Sequence, residues 1–235
     1  MGAHWRSPRL RSSRWRMREK EKLFMNGFIS KMTGRLALLV GILGILAFVS
    51  LILFFVGLFQ NIRSLSFMGS INDTINALAS VLSVVLASVL HPALRRLMPR
   101  LSLVLLIGVW AGAIAVTFGS WLIQTGRSDV ELSSYYFFFG NGLIGIWLWV
   151  LNRMARQQAV WPRNLTHLGL IASVFMMLGL LGLYGILLGL DGNDYSPLIT
   201  VTGISFFGTG IFYPIWSLRL GRWILSKQDD RAVAL

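Results

Sequence analysis

The chain has 235 residues, 55% hydrophobic and only 13% charged, with a mean hydropathy of +0.66. A soluble domain is usually about one-quarter charged, so this composition excludes an ordinary water-soluble protein, and the lack of cysteine excludes disulfides, thiolate metal sites, iron–sulfur ligation and thiol catalysis. The net charge of +13 sits between and beside apolar runs, where membrane topology puts it, and so does not argue for nucleic acid as a partner.

Residues 1–35 read as a basic cytoplasmic tail, in which Arg6, Arg9, Arg11, Arg14, Arg16 and Arg18 form a lipid-surface anchor. Each cation beside anionic headgroups contributes about 1 kcal/mol of attraction. Met17 and Met25 are alternative starts that would shorten this tail. A signal peptide is not expected, because the next apolar run is far longer than a signal core and no small-residue cleavage site follows it.

That run, residues 36–59, carries no charge, and Ser50 is its only polar side chain. At about 1.5 Å per residue it crosses a hydrocarbon core about 30 Å thick. The second span is read at 74–90, with Asn72 or Asp73 capping its start and His91-Pro92 ending it. The third span is placed at 101–124 and the fourth at 134–151, with Tyr135 and Tyr136 as an interfacial belt. The fifth is placed at 165–190 and the sixth at 198–218, where Pro214 predicts a kink near Tyr213. Residues 219–235 form a cytoplasmic tail. The expected fold is all-α, a six-helix polytopic membrane bundle over residues 36–218.

Charge tests the count. With six spans and the N-terminus inside, Arg63 and Arg127 are the only Lys or Arg residues left outside, while Asp73, Asp129, Glu131, Asp191 and Asp194 all fall there. The positive-inside rule therefore places both termini in the cytoplasm. Met98-Pro-Arg-Leu101 opens span three and Trp161-Pro-Arg-Asn-Leu165 opens span five. This echo is read as good chemistry for an inner helix start in preference to a hairpin repeat.

Lipid supplies no hydrophobic drive between helices, so close packing and a few polar contacts must hold them. Gly108 with Gly112, Gly185 with Gly189, Gly182 with Gly185 and Gly142 with Gly145 are spaced for close backbone approach. Asn76, Ser80, Ser83 and Ala87 share one face of span two, and Thr202, Ser205 and Thr209 share one face of span six. These are read as packing faces. As a polar path they would be joined by Gln124 and Asn141, and the chain would be a facilitator of a small neutral or lipid-like molecule.

No ionisable residue lies at mid-depth, so proton-coupled transport and voltage sensing lack the groups they need. His91 and His167 are weak candidates for haem ligation, with neither a second pair nor a carboxylate beside them. Gly203-Ile-Ser205 is reminiscent of an intramembrane protease serine, but His167 is placed too far away in depth to act as its base. No phosphate loop, zinc motif or paired aspartates appear. No catalytic residue, metal or cofactor is expected.

Asn141 to Trp147 and on to Asn152, Pro162 to Gly169, and Tyr213 to Gly221 resemble small six-span bacterial membrane proteins of unknown function, best over the last 100 residues or so. The resemblance implies a bacterial inner-membrane location and one compact bundle, and brings no activity with it. The expected role is that of a non-enzymatic structural or accessory component, with the bilayer, anionic headgroups and another membrane protein as partners.

Overall fold

The computed structural model describes residues 31–190 and 197–233. Helix α1 is Lys31–Phe59, and a 3-10 turn, Arg63–Leu65, leads into α2, Phe67–Leu97. Helix α3 is Pro99–Gln124 and α4 is Val130–Gln157. Span five is α5, Arg163–Leu178, then a 3-10 turn, Gly179–Leu181, then α6, Gly182–Leu188. Span six is α7, Pro197–Phe206, then a π segment, Phe207–Phe212, then α8, Tyr213–Val233. Six helical spans are long and apolar enough to cross a membrane, the make-up of a multi-pass membrane protein, and no strand occurs among the described residues.

Each span packs against the next, and span six returns to pack on α1, so the six close into a ring. The outside of the ring is apolar, with Leu39, Ile42, Val104, Ile107, Ile114 and Leu187 all exposed. A surface of this kind calls for lipid as its solvent.

Glycines set the seams. A Cβ at Gly34 would stand 2.9 Å from Leu225 Cγ and one at Gly41 would stand 2.6 Å from Leu218 Cγ, while Gly44 lies against Pro214. In return, a Cβ at Gly221 of α8 would stand 2.7 Å from the Gly34 carbonyl oxygen. The first and last spans therefore meet backbone to backbone. Gly112 and Gly140 do the same for α3 and α4, each facing the other's carbonyl oxygen. Gly142 and Gly145 accept Leu180 and Met176, and Gly182 and Gly185 lie on Tyr135. Two expected packing glycines do not serve this way. Gly108 looks into open space, and Gly189 ends α6 in the left-handed conformation (φ 60°).

Several boundaries differ from those read in the sequence. Helix α2 begins at Phe67, before Asn72 and Asp73, and neither caps it. It also continues through Pro92 to Leu97. Pro92 removes one backbone hydrogen bond, a loss that a membrane-spanning helix tolerates where neighbouring groups re-satisfy the freed carbonyl. The 31 residues of α2 extend about 46 Å, longer than the hydrocarbon core requires. Tyr135, read as part of an interfacial belt, packs within the ring of helices near the start of α4. It is fully buried, its ring lies beneath Gly185, and its hydroxyl donates to Glu131 at 3.0 Å. The break expected near Tyr213 takes the form of the π segment, which ends where the chain reaches Pro214.

Candidate functional site

The two polar faces singled out in the sequence are mostly turned back on their own helices. Ser80 donates to the Ala77 carbonyl at 2.7 Å and Ser83 to the Ala79 carbonyl at 2.8 Å. Asn76 donates to Asn72 Oδ1 at 3.0 Å. On span six, Thr202 donates to the Leu198 carbonyl at 2.8 Å and Thr209 to the Ser205 carbonyl at 3.4 Å. Ser205 is fully buried beside Gly179, and its hydroxyl has no hydrogen-bond partner. Asn141 is buried and donates to the Phe137 carbonyl, while Gln124 reaches across from α3 to Thr74 on α2 at 3.1 Å.

What joins distant spans is an aromatic group that the sequence reading did not assemble. The Tyr213 hydroxyl of α8 donates to Ser83 Oγ of α2 at 2.9 Å, and Trp216 Nε1 donates to Asn152 Oδ1 of α4 at 3.0 Å. The rings of Tyr213 and Trp216 stack with centroids 5.8 Å apart, and Trp161 leans on Trp216 at 6.0 Å. Trp147, Leu86, Leu90, Leu148 and Leu151 complete the fill, each almost wholly buried. A buried indole or phenol needs a partner for its polar atom, and Ser83 and Asn152 supply those partners. Asn152 in turn occupies the space over Gly169 of α5. The three stretches that carried the resemblance thus meet at one point, through Asn152, Gly169 and Trp216.

His91 and His167 are not brought together. They sit on α2 and α5, at opposite places in the ring. His167 is exposed, whereas His91 is half-buried with Nδ1 lacking a partner. No group of three or more metal-ligating side chains forms among the described residues. Ser205, beside Gly179, lies about 18 Å along span five from His167, which leaves it without that base.

Charge divides the two ends of the ring. Arg95, Arg96, Arg100, Arg153, Arg156, Arg163, Arg219 and Arg222 are all exposed near one end. Arg63 and Arg127 lie at the other, where Arg127 stands over the Trp121 ring at 4.7 Å. At that second end, a cavity of about 470 Å³ opens at the corner between α1 and α2, lined by Gly57, Leu58, Asn61, Ile62, Arg63 and Ser66. The anchor residues Arg6, Arg9, Arg11, Arg14, Arg16 and Arg18 lie outside the described residues.

No family model matches the chain, and no curated protein or solved structure matches it either.

Proposed function

We propose that this chain is a non-catalytic membrane component that supports or docks with another membrane protein, with both termini on the cytoplasmic side of a bacterial inner membrane. One observation carries the reading. Most inward polar side chains of the two faces, Ser205 excepted, end in helix carbonyls or in the Ser83–Tyr213 and Trp216–Asn152 bonds, amid closely packed aromatic and aliphatic side chains. A passage for solute needs polar groups that face a wet space, and these face one another. The cytoplasmic placement of the termini rests on the concentration of cations at one end of the ring.

Crosslinking in intact cells followed by purification tests the role, and recovery of a defined membrane protein is the expected result. Uptake of a labelled neutral solute into proteoliposomes, lost on changing Ser80 and Ser83 together to alanine, would overturn it in favour of a facilitator. Orientation is tested separately. The chain has no cysteine, so Met98→Cys and Ser128→Cys each give a single reporter. An impermeant maleimide is expected to label Ser128→Cys, and not Met98→Cys, in intact spheroplasts.

A further inference from the structure

Helix α1 ends at Phe59, and the chain turns through Asn61 in the left-handed conformation (φ 54°) into the 3-10 turn. Asparagine accepts that conformation better than most residues. Gly57 lets the turn fold back closely, since a Cβ there would stand 2.6 Å from Leu65 Cβ. The cavity described above is the product of this corner, and one wall of it is Arg63.

Arg63 is out of place by the rule that governs the other cations. Among the described residues only it and Arg127 lie at the cation-poor end, and Arg127 is held on Trp121. Arg63 has no carboxylate partner among the described residues and opens into the cavity. A guanidinium offers a fork of donors matched to phosphate oxygens. Beside it, Asn61 brings an amide donor and acceptor. Ser66 donates its hydroxyl proton to the Arg63 carbonyl at 2.8 Å, which leaves its oxygen free to accept. Leu58 and Ile62 make the remaining wall apolar. Just outside, Phe59 is 84% exposed and stacks with Phe55 at 6.3 Å, a surface suited to an acyl chain.

We propose that the α1–α2 corner binds the headgroup of an anionic, hydroxyl-bearing phospholipid, with Arg63 on the phosphate and Asn61 and Ser66 on the hydroxyls. The apolar wall and the adjoining phenylalanines select an amphiphile over a free anion. The inference goes beyond the supporting role proposed above and stands without it.

The test uses the full chain carrying Ser64→Cys, labelled with bimane and placed in phosphatidylcholine nanodiscs. Phosphatidylglycerol with brominated acyl chains is then titrated in as quencher. Quenching is expected to saturate, and Arg63→Gln is expected to need about fivefold more lipid for the same effect. Arg127→Gln should leave the curve unchanged. Should Arg63→Gln fail to fold, Asn61→Gly keeps the left-handed corner, removes the amide and is expected to weaken quenching in the same sense. Coincident curves for the parent and both variants would overturn the proposal. So would equal quenching by brominated phosphatidylcholine, or relief of quenching by inorganic phosphate, which would make the site one for a free anion.

Discussion

Asn152 of α4 accepts the indole N–H of Trp216 of α8 at 3.0 Å and gives its own N–H to the Leu148 carbonyl of the turn before it. Both residues are fully buried. One amide thus bonds back to its own helix and ties two spans that are not neighbours in sequence.

Replacing that amide should be costly. Asn152→Leu leaves the Trp216 N–H without a partner in an apolar interior, a loss of about 1–3 kcal/mol. Thermal unfolding in detergent should show a lower midpoint. Adding Trp216→Phe should cost less than the sum of the two single changes, because the orphaned donor is then gone.

The same amide makes a second prediction through α5. A methyl group at Gly169 would run into Asn152, so Gly169→Ala should destabilise by about 1–3 kcal/mol. Gly108→Ala is the control. It points into open space, and its effect should stay within about 0.5 kcal/mol. Equal melting points for the two variants would contradict the packing described.

Tyr213→Phe and Ser83→Ala remove the two ends of a single interhelical bond. Hydrogen bonds between membrane helices average about 0.6 kcal/mol of coupling, and a double-mutant cycle on unfolding should return a value of that order. A coupling near zero would mean that Tyr213 is held by stacking on Trp216 alone.

The closure of the ring can be broken at one point. Gly221→Val places side-chain bulk against the Gly34 carbonyl and Leu38 of α1, with an expected cost of about 1–3 kcal/mol or more. Limited proteolysis should then cut the chain faster at the α1–α2 corner.

Much of this architecture was legible in the residues. Six uncharged runs, with arginine in four of the five connections and aspartate in the fifth, gave the number of spans, because a bilayer admits few other solutions. The ends of α2 were misread for a physical reason. Asn72 and Asp73 look like caps, but a helix that leaves the hydrocarbon continues in the interface, where its own bonds remain the best available. Pro92 looks like a stop, yet a spanning helix can continue through a proline at the loss of one backbone hydrogen bond. The central aromatic group was harder to foresee. Tyr213, Trp216 and Asn152 sit among many other aromatic and polar residues, and helical spacing says which face a residue occupies without saying which helix that face will meet. The demand of a buried indole for an acceptor was the available signal, and it does not name the acceptor. The α1–α2 cavity had only one trace in the sequence, the arginine Arg63 in a loop otherwise without cations.

The glycine seam between α1 and α8 has a consequence for how the protein is made. Helix α1 is made with its groove at Gly34, Gly41 and Gly44 vacant, and the surface that fills it follows only with α8, at Pro214 to Leu225. At ribosomal rates of about 5–20 residues per second, that groove waits on the order of ten to forty seconds. Throughout this interval another newly made copy can offer its own α8, so the seam that closes one ring is also the place where two would exchange spans.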